Sequence, residues 1–147
     1  MALAERRANV VWNGALIDGS GTLNLASGAT GDLPISWSAR VEDSDGKTSP
    51  EELIAAALSS CYAMAFSNTL NGAGHPPEQL SVNVVCTVEK IETGIKVANA
   101  DISVTGKVPG LDQSGFEELA KTAEQGCPVA NALRNNVEIS VNATLSG

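Results

Sequence analysis

Three cysteines and one histidine carry most of the reactive chemistry available to this chain. No CxxC or HxxxH spacing occurs among Cys61, Cys86, Cys127 and His75, so they do not make a convincing zinc site. The remaining possibility is thiol chemistry, in which the thiolate is the nucleophile and its surroundings set how much of it exists. Cys86 shares the apolar face of an alternating run, 81–90, with Val82, Val84 and Val88, and reads as a small buried hydrophobe. Cys61 lies on the apolar stripe of a helical pattern, where a core role is again the commoner one. Cys127 differs, because Gly126-Cys127-Pro128 places it at the start of a helix, where unpaired amides and the dipole favour a thiolate. A cap that happens to be cysteine stands equally open there. His75, within Gly74-His75-Pro76-Pro77, reads as an exposed loop residue.

The carboxylates nearest the first candidate sulfur are Glu51 and Glu52, and position separates them. Ser49-Pro50-Glu51-Glu52 begins a helix with a capping serine, a proline at the first helical position and a Ser-x-x-Glu capping box that accounts for Glu52. At 100° per residue Glu52 lies about 180° around the axis from Cys61, and Glu51 only about 80°. Glu51 is thus the better candidate for chemistry, against the plain alternative of a first-turn acid complementing the dipole. Ten residues of straight helix separate it from Cys61 by about 15 Å. Glu51 therefore needs an intermediary, or a second copy of the helix in a two-fold dimer, to influence that sulfur.

These residues must be carried by short strands and a few helices. Runs 9–16 and 21–26 flank Asp18-Gly19-Ser20-Gly21, a hairpin signal. From 35 to 42 the alternation is clean, with Ile35, Trp37, Ala39 and Val41 on one face. It predicts a strand with Arg40 pointing away from the apolar side. Over 49–70 the period changes to that of a helix, its stripe formed by Ile54, Ala57, Leu58, Cys61, Met64 and Ala65, and Asn71-Gly72-Ala73-Gly74 stops it. Strands follow over 81–90 and from Ile95 to Val104. In the second, apolar residues shift from odd to even positions, which predicts a bulge between Ala98 and Asp101. An amphipathic helix over 112–125, a short helix from Cys127-Pro128 to about Arg134, and a strand over 137–145 complete the pattern. The order gives an α+β domain and not a doubly wound one.

The chain has 147 residues, the length of one ordinary globular domain, and 1–147 reads as a single domain. Nine basic residues against seventeen acidic ones give a net charge of −8, which argues against nucleic acid or an anionic membrane as a partner. The longest mostly apolar run, 53–66, is short for a membrane span, and the N-terminal residues lack a signal-peptide core. The expected setting is the cytoplasm, where any disulfide would be catalytic or redox-sensing.

Thr48-Ser49-Pro50-Glu51-Glu52-Leu53-Ile54-Ala55-Ala56-Ala57-Leu58-Ser59-Ser60-Cys61-Tyr62, followed much later by Gly126-Cys127-Pro128-Val129, resembles the osmotically inducible protein C / organic hydroperoxide resistance (OsmC/Ohr) family. The likeness extends over essentially the whole chain, including 35–42 and Lys107-Val108-Pro109-Gly110. It is closer to the osmotically inducible branch, because the arginine falls at Arg40 in Trp37-Ser38-Ala39-Arg40-Val41.

The resemblance implies antiparallel sheets packed around a long central helix in an intertwined homodimer with both sites at the subunit interface. It implies a thiol-dependent peroxidase acting on organic hydroperoxides, and less well on hydrogen peroxide, in oxidative-stress defence. Cys61 would be the peroxidatic cysteine, Cys127 the resolving one, and Arg40 and Glu51 the activating pair. An external thiol reductant is implied, and no bound cofactor or metal. The likeness thus decides for Cys61 and Arg40 what the residues alone leave open. Two further readings use the same residues: a non-enzymatic redox sensor, and a structural stress protein with inert cysteines.

Overall fold

A computed structural model describes all 147 residues, Met1–Gly147. Contacts divide the chain into two units, Met1–Leu53 and Ile54–Gly147. The first holds an antiparallel sheet of β1 (Ala8–Asn13), β2 (Ser20–Leu25) and β3 (Leu33–Ile35), in that order. The expected hairpin is present, with Ala8 facing Leu25 and Asn13 facing Ser20. Gly21 has a steric reason to be glycine: a Cβ there would lie 2.8 Å from the Trp12 ring and 2.9 Å from Ile35, two side chains that close over its backbone.

The strand expected over 35–42 is not formed. β3 stops at Ile35, and a short helix, α1 (Trp37–Val41), takes over. Ser36 ends the strand by capping the helix, its Oγ accepting from the Ala39 amide at 3.2 Å. A serine that can bond its own downstream backbone competes with ladder pairing, and here it wins. Arg40 accordingly sits in the last turn of α1 rather than on a strand face. The loop that follows is drawn back to the sheet by the Thr48 amide, which donates to Pro34 O at 3.1 Å, and by a bridge between Ile35 and Thr48.

Helix α2 (Pro50–Gly72) starts in the first unit and continues into the second. Ser49 caps it, accepting from the Glu52 amide at 3.1 Å, but only half of the expected capping box forms. The Glu52 carboxylate accepts from Thr48 Oγ1 at 2.8 Å instead. At the other end the His75 amide reaches back to Leu70 O, and Gly74 turns the chain at φ +85°. By length and composition α2 could cross a membrane, further than the apolar run 53–66 had indicated. Its stripe of Leu58, Tyr62, Phe66 and Leu70 is fully buried, however, in the core of the second unit.

That stripe is rotated from the one expected. Leu58 was placed correctly and Cys61 and Ala65 lie at its half-buried edge, but Met64 is 68% exposed and Ala57 is open. Alanines and serines on every side of α2 blur the periodicity, and the large aromatics decide which face turns inward. The Phe66 ring packs between Tyr62 and Phe116, with centroids at 5.6 and 5.0 Å.

The second unit also contains β4 (Gln79–Ile91), β5 (Gly94–Lys107), α3 (Gln113–Gln125), α4 (Pro128–Leu133) and β6 (Glu138–Leu145). β4 and β5 are antiparallel, and the expected bulge is found: Thr87 faces Asn99 and Val88 faces Val97, leaving Ala98 as the extra residue. Cys86 lies opposite Ala100 and is half-buried, not the fully buried core residue its strand face predicts. β6, however, pairs parallel to β5, so this sheet is mixed and not wholly antiparallel. The connection through α3 and α4 is the crossover that a parallel pair needs. The α+β class stands.

Candidate active site

The sequence-predicted residues assemble in two pairs, one in each unit. In the first unit Arg40 and Glu51 form a forked ion pair. Arg40 Nε donates to Glu51 Oε1 at 3.0 Å and Oε2 at 3.2 Å, and Nη2 donates to Oε1 at 2.8 Å. Glu51 is 5% exposed, and a buried carboxylate persists in charged form only when paired and hydrogen-bonded in this way. The pairing follows from local structure. Ser36 starts the short helix that presents Arg40, while the Thr48–Pro34 bond and the Ser49 cap hold the first turn of α2. Trp37 contributes as well, with the guanidinium carbon 6.0 Å from its ring centroid. Nη1 is not spent on Glu51, so the arginine keeps donors for another group.

In the second unit Cys61 and Cys127 are both free thiols, and the Cys127 thiol shares a hydrogen bond with the Cys61 sulfur. Cys127 is fully buried at the N-cap of α4, with Pro128 opening the helix as the sequence predicts. The amides of Ala130 and Val129 face its sulfur and favour the thiolate, without closing a regular cap bond. Burial outweighs them and pushes the Cys127 thiol up, and the bond and charge of Cys61 add to the shift. Of the two readings the helix start left open for Cys127, a favoured thiolate and a plain cap, the pull toward a thiolate is outweighed by burial. At neutral pH Cys127 keeps its proton and presents it to the Cys61 sulfur.

Tyr62 does more than fill the core, the role expected of it. Its hydroxyl donates to Ala120 O at 2.8 Å, and burial raises its pKa, as do the nearby charges of Glu124 and Cys127. Glu124, which sequence reasoning passed over, is 8% exposed and ion-paired to Arg134. A signal was available: Phe116, Ala120 and Glu124 are spaced by four, which puts an acid on the buried stripe of α3. It also lies in the last helical turn, where the dipole disfavours negative charge.

One unit thus brings two free thiols together, and the other holds a buried carboxylate forked by an arginine. Residues 42–142 match the model of the family described as OsmC-like protein, and the chain belongs to that family. Peroxiredoxin OsmC of Escherichia coli (strain K12) is 31% identical over 135 residues, 92% of this chain and 94% of that protein. Organic hydroperoxide resistance protein-like 2 of Staphylococcus epidermidis is 29% identical over 99 residues, 66% of this chain and 68% of that one. Among solved structures, the OsmC organic hydroperoxide resistance protein of Legionella pneumophila matches with a TM-score of 0.76 at 24% identity, covering 98% of this chain and 99% of its own. OhrB of Bacillus subtilis matches at 0.71 and 21% identity, covering 94% and 98%. At these identities the structural matches establish a shared fold. The relatives' names support a peroxidase-like role in stress defence.

Proposed function

We propose that the protein is a two-cysteine, thiol-dependent peroxidase that reduces organic hydroperoxides to alcohols. The observation that carries this reading is the closeness of the free thiols of Cys61 and Cys127, residues remote in sequence. Cys61 is the nucleophile: its sulfur attacks the peroxide, the O–O bond breaks, an alcohol leaves, and Cys61 becomes a sulfenic acid. Cys127 then attacks that sulfur, the S–S bond forms, and the hydroxyl departs with the Cys127 proton as water. An external dithiol reopens the disulfide by exchange and is itself oxidised.

Arg40 and Glu51 are the activating pair in this reading. The carboxylate fixes the guanidinium, whose remaining donors are suited to hold a peroxide oxygen as charge develops on it. A second copy of the chain is part of the proposal, with the sites at the subunit interface. Apolar surface in each unit supports it: Val11 is 59% and Ile17 71% exposed in the first, and Met64 lies open on α2 in the second. Residues 1–147 act as one functional domain, in the cytoplasm, where thiols are kept reduced. The names of the organic hydroperoxide resistance relatives support organic peroxides over hydrogen peroxide as the substrate class.

Steady-state consumption of tert-butyl and hydrogen peroxides, run against several dithiols, tests the proposal. Turnover that is faster with the organic peroxide is expected. Loss that stops after one equivalent would indicate a redox sensor, and no loss at all a structural protein.

A further inference from the structure

The resolving step asks more of geometry than the attack does. A disulfide closes only when the two Cα atoms are within about 7 Å and the S–S torsion is near ±90°. Cys127 must also reach the sulfenic sulfur before a second peroxide does. Cys127 stands in the turn between α3 and α4, and the ends of that turn are tied together. Arg134, the C-cap of α4, reaches back across the turn to the last residues of α3. Its Nη2 donates to the Glu124 carboxylate and, at 3.3 Å, to Glu124 O, while Nη1 donates to Asn131 Oδ1. The same Glu124 carbonyl accepts from the Cys127 amide at 3.2 Å. Gln125 Nε2 donates to the other carboxylate oxygen at 2.6 Å. Glu124 is therefore the junction at which the resolving cysteine's backbone and the arginine meet.

Such a junction has a cost. An acid in the last turn opposes the helix dipole, and burying an ion pair gives up hydration that the pairing only partly restores. An apolar pair of similar volume would serve stability as well. What the charged pair adds is a fixed geometry for the residues between its ends. The tie also extends to the other sulfur. Tyr62 follows Cys61 in α2, and its hydroxyl is bonded to Ala120 O, one turn before Glu124 on α3.

We infer that Glu124 and Arg134 are positioning residues for the resolving step, holding the Cys127 turn so that its sulfur meets the oxidised Cys61. This rests on the two-cysteine reading above and assigns neither residue a part in the attack on peroxide.

The test uses the full chain, reduced, as the parent and as Arg134→Ala, Arg134→Lys and Glu124→Gln. After one equivalent of tert-butyl hydroperoxide, peroxide loss and appearance of the Cys61–Cys127 disulfide are followed separately by quenched-flow mass spectrometry. Arg134→Ala and Glu124→Gln should consume peroxide at close to the parental rate but close the disulfide about tenfold more slowly or worse. Cys61 sulfinic acid should then accumulate at lower peroxide. Arg134→Lys keeps the charge without the fork and should recover part of the closure rate. Closure by a diazene oxidant, which joins two thiols without any peroxidase activity, should slow in the same order. That arm reports on the junction even if the parent consumes no peroxide. Parental closure rates with both oxidants would overturn the inference. So would equal slowing of peroxide loss and closure, which marks general loosening of the fold.

Discussion

The sulfur pair and the charge pair are built in opposite ways. Cys61 and Cys127 are held by a dense core in which Leu58, Tyr62, Phe66, Phe116, Ala120 and Ala123 are fully buried. Arg40 and Glu51 stand in a unit of three short strands where every residue of β1 is exposed, and a polar lattice keeps them in place. A buried core surrounds the sulfurs, whereas the charges lie in a unit held largely by hydrogen bonds. The surface differs as well: Val10, Val11 and Trp12 of the first unit are open to solvent.

The strongest way to separate the two pairs is to remove members of each. Cys61→Ser should abolish turnover, a loss on the order of 10³-fold or more in steady-state peroxide consumption. Cys127→Ser should instead permit about one oxidation and then drift to sulfinic acid, read as added oxygen mass on the Cys61 peptide. Equal residual activity in both would contradict their assigned roles. Arg40→Ala strikes the other region, leaving the buried Glu51 carboxylate without its partner. The expected loss is about 10²-fold in the attack rate constant, the scale for removing one oriented donor. An unchanged rate constant removes Arg40 from the mechanism.

Stability sharpens the same contrast. A Cβ on Gly106 would lie 2.5 Å from the Phe116 ring, so Gly106→Ala should cost about 1–3 kcal/mol in denaturant unfolding. Substitutions at Val11, on the exposed strand, should cost far less in a monomer and more wherever a second copy covers it. The pH dependence comes from the sulfur side. Cys127 and Tyr62 have folded pKa values above their usual 9.0 and 10.0, so folding stability is fully present below about pH 9. It falls as the pH rises first through the Cys127 range and then beyond that of Tyr62. Urea titrations at pH 8, 9.5 and 10.5 should show the decline, flattened by Cys127→Ser at the first step and by Tyr62→Phe at the second.

Where the sequence was legible, a local rule governed. The hairpin around Asp18–Gly19, the bulge at Ala98, the Ser49 cap and the Pro128 helix start all follow from nearby residues, and each is in place. Where it misled, two local rules competed or the answer lay across the chain. Alternation at 35–42 matched a strand, but Ser36 caps a helix there. The α2 stripe was ambiguous because alanine fits every face. The parallel pairing of β6 depends on contacts no local pattern encodes. Glu51 and Cys127 stood out by their places at helix starts, Cys61 and Arg40 needed the family likeness, and the atoms that join Arg40 to Glu51 are visible only in three dimensions. The raised pKa of Cys127 was invisible because burial by remote residues outweighs the helix start.

The claim on which all of this depends is tested by one equivalent of tert-butyl hydroperoxide followed by non-reducing peptide mass spectrometry. A crosslink between the Cys61 and Cys127 peptides, two hydrogen masses lighter than the separate thiols and formed with release of one alcohol, is predicted. Unchanged thiols, or oxidation that leaves Cys127 reduced while Cys61 goes directly to the sulfinic acid, would contradict it.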